Sequence, residues 1–203
     1  MARAEELFAA FDTYPTVLED AAKSFIAKQT FTEEGLAVTM SKLRADGLTV
    51  EQLQPWLSDP SNLLVTLNSR MERTPLPDDE GHKIWHFKVN MPMVISNRSL
   101  ITCYYHVELA DGFTAVLHSS EGNEAQVAAN TAEIGSNVIA NNQITMTAYK
   151  PYDGGIEFKQ VSCMDPAGMI PQFIKNAMAG RMANALLLIV DYLKDGTVPE
   201  PLF

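Results

Sequence analysis

The 203-residue chain is short of cysteine, of basic residues and of long apolar runs, and each shortage narrows what it can be. Its two cysteines, Cys103 and Cys163, each sit within an apolar run. That predicts two buried free thiols in a reducing compartment rather than a disulfide framework. Fifteen Lys and Arg against 25 Asp and Glu leave a net charge of −10, and the basic residues are scattered. A protein that neutralises a phosphate backbone shows a basic stripe, so nucleic acid is not an expected partner, nor is strong electrostatic docking on anionic membranes. Acidic residues interrupt the start, MARAEELFAAFDTYP, where an export signal needs a charged segment followed by a continuous apolar one, so a cytoplasmic location is expected. The longest apolar run near the C-terminus, ALLLIV over 185–190, is far shorter than the ~20 residues that span a bilayer. With no export expected, the sequon Asn97-Arg98-Ser99 reads as an accident of sequence.

Motifs of catalysis are missing too. There is no G-x-S-x-G, no G-x-G-x-x-G, no phosphate-binding glycine loop and no C-x-x-C. His82 and His86 lie in a strand-like stretch, His-Lys-Ile-Trp-His, where residues four apart are too distant to chelate one ion, so no metal is expected. What is present, 46% apolar and 20% charged residues, suits one globular domain over 1–203, expected as a monomer without a cofactor.

Along the chain, Leu7, Phe8, Phe11, Val17, Leu18, Ala21, Ala22, Phe25 and Ile26 follow helical spacing with a break near Pro15, predicting one kinked helix or two short ones. Residues 35–44 are a weaker strand candidate. Thr49 and Gln52 form a capping box that opens a short helix, which stops near Asp59-Pro60. Strand-like runs then cover 63–71, 83–89, 100–109, 113–119, 127–139, 143–149 and 156–164, separated by turns such as Asp111-Gly112 and Asp153-Gly154-Gly155. Short links make antiparallel neighbours. From Asp165 or Pro166 to Leu193, apolar residues recur at helical spacing for about seven turns. The middle of this helix is small residues and methionine, including Gly180, which suits a surface that repacks around a flexible guest. The fold class is therefore α+β, a curved antiparallel sheet against one long C-terminal helix. Such a helix cannot fill a curved sheet alone, so the space between is either packed with bulky side chains or hollow and apolar.

The order of features from about residue 48 to 193 resembles the StAR-related lipid-transfer (START) domain, a helix-grip fold. Met91-Pro92-Met93-Val94-Ile95-Ser96-Asn97-Arg98-Ser99 resembles the family's P-x-x-x-S-N-R-D signature. Asp165-Pro166-Ala167-Gly168-Met169-Ile170-Pro171, leading into Phe173, Ile174 and Asn176, is similar to its D-x-x-G-x-I-P approach to the lid helix. The resemblance implies an internal apolar cavity for one lipid or other hydrophobic small molecule, a sterol or phospholipid among them, closed by the C-terminal helix, with transient membrane contact. It implies a lid face of Phe173, Ala177, Met178 and Met182 and walls of Trp85, Phe87, Tyr104, Met146 and Phe158; the glycine and polar residues of 119–126 make that loop a second expected moving part. Two departures stand out. Ser99 replaces the aspartate that follows the signature arginine, which puts a local ion pair of Arg98 in doubt. Trp85 and Tyr104 occupy the positions of the acid and arginine that face each other in sterol-binding members. A ligand's polar end would then meet a phenol, water or an imidazole, His86 and His106 being nearest by position. Within Leu100–Leu109, alternation turns Ile101, Cys103, Tyr105 and Val107 inward, whereas the resemblance turns Tyr104 inward. A carrier and a sensor remain open, as does an enzyme of the polyketide cyclase or aromatase type, for which Tyr104, Tyr105, His106 and His118 supply acid–base groups.

Overall fold

The structure, a computed structural model, describes residues 2–79, 81–92 and 95–198. Met93 and Val94 of the signature segment lie outside the described residues. In chain order the elements are α1 (Ala2–Ala9), β1 (Thr16–Asp20), β2 (Phe25–Phe31), β3 (Ala37–Asp46), α2 (Val50–Ser58), α3 (Pro60–Thr66), β4 (Met71–Asp79) and β5 (His82–Val89). They continue with β6 (Arg98–Glu108), β7 (Thr114–Ser119), α4 (Glu124–Ala129), α5 (Thr131–Ile134), β8 (Val138–Ile139), β9 (Asn141–Tyr152), β10 (Gly155–Asp165) and α6 (Gln172–Asp195). One sheet runs β1-β2-β3-β10-β9-β7-β6-β5-β4, antiparallel throughout, with β8 paired parallel to the start of β6.

Where tight turns and alternation coincide, the sequence reading holds: β5, β6, β7, β9 and β10 fall on the predicted runs, and Thr49 N–H donates to Gln52 Oε1 at 2.9 Å at the head of α2. Four segments differ. Residues 72–79, outside every predicted run, extend as β4 and pair with β5. Residues 16–31 form a hairpin, not a helix, because pairing with β3 at the sheet edge overrides the helical spacing and buries Phe25 and Ala27 two residues apart. Residues 63–66, read as strand, belong to α3, which Asp59 caps by accepting from Asn62 N–H at 3.1 Å, with Pro60 in the first turn. Most of the run 127–139 is helical, as α4 and α5, and only Val138 and Ile139 pair with the sheet.

Both faces of the sheet are buried. On the inner face α6 packs Ala183, Leu186, Ile189 and Val190 among Phe25, Leu43, Ala45, Ile156 and Phe158, together with Leu53 and Trp56 of α2. On the outer face Ala4 of α1 and Phe11 cover Val38, Met40, Ala115, Ile144, Met146, Ala148, Val161 and Cys163. A second outer cluster joins Ile134 of α5 to Ile84, Ile101 and Cys103. Both cysteines are free and buried. Over 173–195 the helix α6 is long and apolar enough to cross a membrane, with mean hydropathy 1.3, beyond what its short continuous run suggested; 28% of that stretch is buried, packed on the sheet, and further residues of it line the space beneath.

The β9–β10 hairpin is tight enough to demand glycine. A Cβ on Gly155 would press on the Ala45 carbonyl oxygen and lie 2.9 Å from Tyr152 Oη and 3.0 Å from Asp46 Cα. Backbone cannot step aside cheaply, so Gly155→Ala is expected to destabilise the fold by about 2 kcal/mol or more. Chemical denaturation reads this directly as a lower midpoint; an unchanged midpoint would show that the hairpin is not so closely packed.

Candidate functional site

Between the inner face of the sheet and a roof made by α3 and α6 lies a cavity of about 260 Å³. Its roof carries Leu63, Leu64 and Leu67 from α3 and its C-cap, and Met178, Met182, Ala185, Leu188 and Ile189 from α6. Phe87, Val89, Met91, Leu100, Val116, Ala140 and Met164 complete an apolar wall. The α6 residues recur three or four apart, so one helical stripe faces the cavity while its neighbour packs on the core.

The floor is polar. Antiparallel register sets Tyr104 opposite His118, His118 opposite Thr145, and Thr145 opposite Ser162; one row on, Val116, Thr147 and Gln160 align. These side chains bond to one another: Thr145 Oγ1 lies 3.0 Å from Ser162 Oγ and donates to Asn142 Oδ1 at 3.0 Å, and Gln160 Nε2 donates to Thr147 Oγ1 at 2.8 Å. Satisfied in this way, hydroxyls and amides can be buried without a large penalty. Tyr104 and His118 stack with ring centroids 5.0 Å apart and planes 3° apart. Burial depresses the His118 imidazole to about 4 and, with the Asp59 carboxylate second, raises the Tyr104 phenol above its ordinary value.

The two signature segments meet at the foot of α6. Arg98 is buried, and its guanidinium donates to Pro166 O at 3.1 Å, to Ala167 O at 2.9 Å and to Ser96 O. The turn it holds is strained: Ala167 has φ +51, and Asp165 Oδ1 accepts from Ala167 N–H at 2.8 Å. Gly168 completes it at φ +64, where a Cβ would meet Arg98 Nη2 and Val138 Cγ1 at 3.4 Å each. Ser99, in place of aspartate, pairs with His86 Nε2 at 2.9 Å and Asn137 Nδ2 at 3.0 Å. Arg98 thus works through backbone carbonyls and needs no ion pair. At the other side of the roof, Arg181 Nη2 donates to Leu67 O at 2.7 Å and ties α6 to the end of α3.

Of the residues expected to contact a ligand, Phe87, Tyr104, Met178 and Met182 line the cavity. Trp85 shares their face, but its ring is covered by Arg73 at 4.4 Å, whose Nη1 donates to both carboxylate oxygens of Asp59 at 2.7 Å. Phe158 is on the inner face but wholly packed in the core. Met146 points to the outer face, because β9 turns its threonines inward and its apolar residues toward α1. Ala177 and the 71% exposed Phe173 fall off the cavity stripe of α6. His106 is exposed near the end of β6, and His86 is buried on the outer face. His118, read from sequence only as an acid–base candidate, is the histidine in the wall. Residues 119–126 lie outside the lining and lead toward the outer-face cluster, with Asn123 Nδ2 donating to Ile101 O at 3.2 Å. In β6 the conflict resolves toward both readings: Tyr104 faces the cavity, and Ile101 and Cys103 are buried on the other side.

Arg98→Met would leave three carbonyls unpaired and release the turn before α6. The expected outcome is a loss of about 3 kcal/mol in stability and faster amide hydrogen exchange across 167–182; unaltered exchange there would contradict the pinning role. A second expectation concerns acid. His118 binds its proton less readily folded, at about 4, than unfolded, at about 6.5. Its contribution is therefore complete above pH ~6.5 and is lost as pH falls through about 4, worth up to ~3 kcal/mol. His118→Gln should flatten that part of the stability profile, and an equally steep acid slope in the variant would sink the assignment.

No family model and no curated protein sequence matches the chain. Solved structures do. Human STARD10 superposes with a TM-score of 0.70 at 12% identity, covering 93% of this chain and 78% of its own. Human StAR-related lipid transfer protein 5 gives 0.70 at 12%, covering 95% and 92%. A STAR-related lipid transfer protein from Xanthomonas axonopodis gives 0.64 at 12%, covering 90% and 99%. At this identity the likeness speaks for architecture, and with the sheet order and α6 it establishes that the chain has the α+β helix-grip fold of START domains.

Proposed function

We propose that the protein binds one lipid or other apolar molecule in the cavity between sheet and α6 and carries it between membranes without changing it chemically. The observation that carries this reading is the largely apolar space, roofed by α3 and the methionines of α6, that lies between the helix and the inner face of the sheet. Likeness in fold to proteins named for lipid transfer supports it. Each methylene moved from water into such a space gains about 0.8 kcal/mol, so even a chain of about eight gives roughly 6 kcal/mol toward extraction.

The cavity sits just below the ~300–1,000 Å³ of typical ligand pockets. A single-chain or small ring compound is therefore the occupant that needs least adjustment, and a sterol or two-chain phospholipid requires the roof to yield. Features of α6 favour such yielding. Met178 and Met182 adapt to varied shapes, and Gly180 faces open space and lowers helix propensity by about 1 kcal/mol. Met169 and Phe173, 97% and 71% exposed beside the turn that Arg98 holds, offer an apolar tip for brief contact with a bilayer in a protein of net charge −10.

Catalysis fits the wall less well. His118 is neutral well below pH 7 and Tyr104 stays protonated well above it, so neither is poised to exchange a proton near neutrality.

Ala185 is the small residue at the middle of the cavity stripe, and Ala185→Trp would fill the space. Fluorescent-lipid extraction from liposomes should fall by at least tenfold in this variant with its circular dichroism unchanged. Uptake equal to the wild type would count decisively against a ligand between α6 and the sheet.

A further inference from the structure

The floor network is closed except at one end. Thr102 Oγ1 and Tyr104 Oη are buried and have no hydrogen-bond partner among the described residues. Both residues line the cavity from the same face of β6, and Tyr104 lies flat on His118 of β7. Leaving a buried hydroxyl unpaired costs roughly 1–3 kcal/mol, and such groups are rare in folded proteins. Two on one strand, beside a strip whose other hydroxyls and amides are paired, mark a place built for an oxygen that arrives with the guest.

The network also fixes what His118 offers. Asn142 Oδ1 accepts from Thr145, so its amide nitrogen is the side that donates, to His118 O at 3.1 Å and to His118 Nδ1 at 3.0 Å. The imidazole proton is then on Nε2, and the ring is a donor. Thr102, Tyr104 and His118 thus supply three donors without a formal charge. Among the described residues the charged side chains lining the cavity are Arg98 and Arg181, and both guanidinium groups are turned to backbone carbonyls at the foot and edge of α6. The nearest other charges that act on Tyr104, Asp59 and Arg73, neutralise each other in an ion pair, and the carboxylate has the stronger effect on the phenol. A carboxylate or phosphate seated on the three donors would therefore be a desolvated charge with no free counter-charge beside it, at a cost of several kcal/mol. A carbonyl, ester or hydroxyl oxygen would be satisfied.

We propose that Thr102, Tyr104 and His118 form the seat for an uncharged, hydrogen-bond-accepting head group, so that the protein selects neutral lipids ending in carbonyl, ester or hydroxyl oxygen over their anionic counterparts. This deepens the lipid-binding reading and rests on it.

The test is displacement of a polarity-sensitive fluorophore by methyl dodecanoate, dodecanol, dodecanoate and dodecane, at mildly alkaline pH where the acid is ionised. The ester and alcohol should bind at least tenfold more tightly than dodecanoate. In the double variant Tyr104→Phe, Thr102→Val their affinities should fall about tenfold, toward that of dodecane, which should not change. Because the variant replaces unpaired hydroxyls by apolar groups, its ligand-free melting temperature should equal or exceed the wild type's, which also shows that it folds. Dodecanoate binding as well as the ester, an unchanged ester affinity in the variant, or a sharp drop in its melting temperature would each overturn the seat while leaving lipid binding intact. Failure of all four probes to displace the fluorophore would overturn the lipid-binding reading and the seat with it.

Discussion

One guanidinium determines where the roof of this protein begins. Arg98 stands at the first residue of β6 and holds the carbonyls of Pro166 and Ala167 across 68 and 69 residues of sequence. The turn it grips has two successive residues in the left-handed region, Ala167 and Gly168, and it sets the direction in which α6 leaves the sheet. A helix started at another angle would either pack flat on the floor and close the cavity or stand off and flood it. Buried positive charge without a carboxylate is costly, and its retention is understandable only if the geometry it enforces is needed.

From that fixed start the rest follows by packing. The far half of α6 is anchored by Leu186, Ile189 and Val190 in the main core and by the Lys23–Asp191 ion pair at 2.8 Å. The near half rests on Ile174 and Met178 against Met91 and Ile95, a much smaller apolar cluster. A helix firmly held at one end, pinned by its preceding turn at the other and lightly packed between is suited to lift and reseat. Lipid exchange in this account is a local event at Met178–Ala185, needing no rearrangement of the sheet.

Much of this was legible in the sequence, unevenly. Strands with clean turns at both ends could be read, as could the long helix and the signature residues Arg98 and Asp165 to Gly168. What sequence did not convey was that those signature segments touch. The N-terminal hairpin and α3 were misread because short apolar spacings are ambiguous between helix and strand until a neighbour is known, and Asp59-Pro60, taken as a stop, was also a start. The cavity walls were half found for a single physical reason. Alternation identifies a buried face, and here both faces are buried, so in β9 the apolar set Ile144, Met146 and Ala148 belongs to the outer core while Thr145 and Thr147 look onto the cavity. A polar inner strip is invisible to a reading that equates inside with apolar, and with it went the significance of His118.

A floor of neutral donors under an apolar roof would suit a guest held by one oxygen and a hydrocarbon body. The central claim, that this container is occupied, is tested most directly by native mass spectrometry of the purified protein, followed by organic extraction. The account predicts a second mass series above that of the bare chain, collapsing to it on extraction and releasing an intact lipid. A single mass series that persists after incubation with a broad panel of lipids would contradict it.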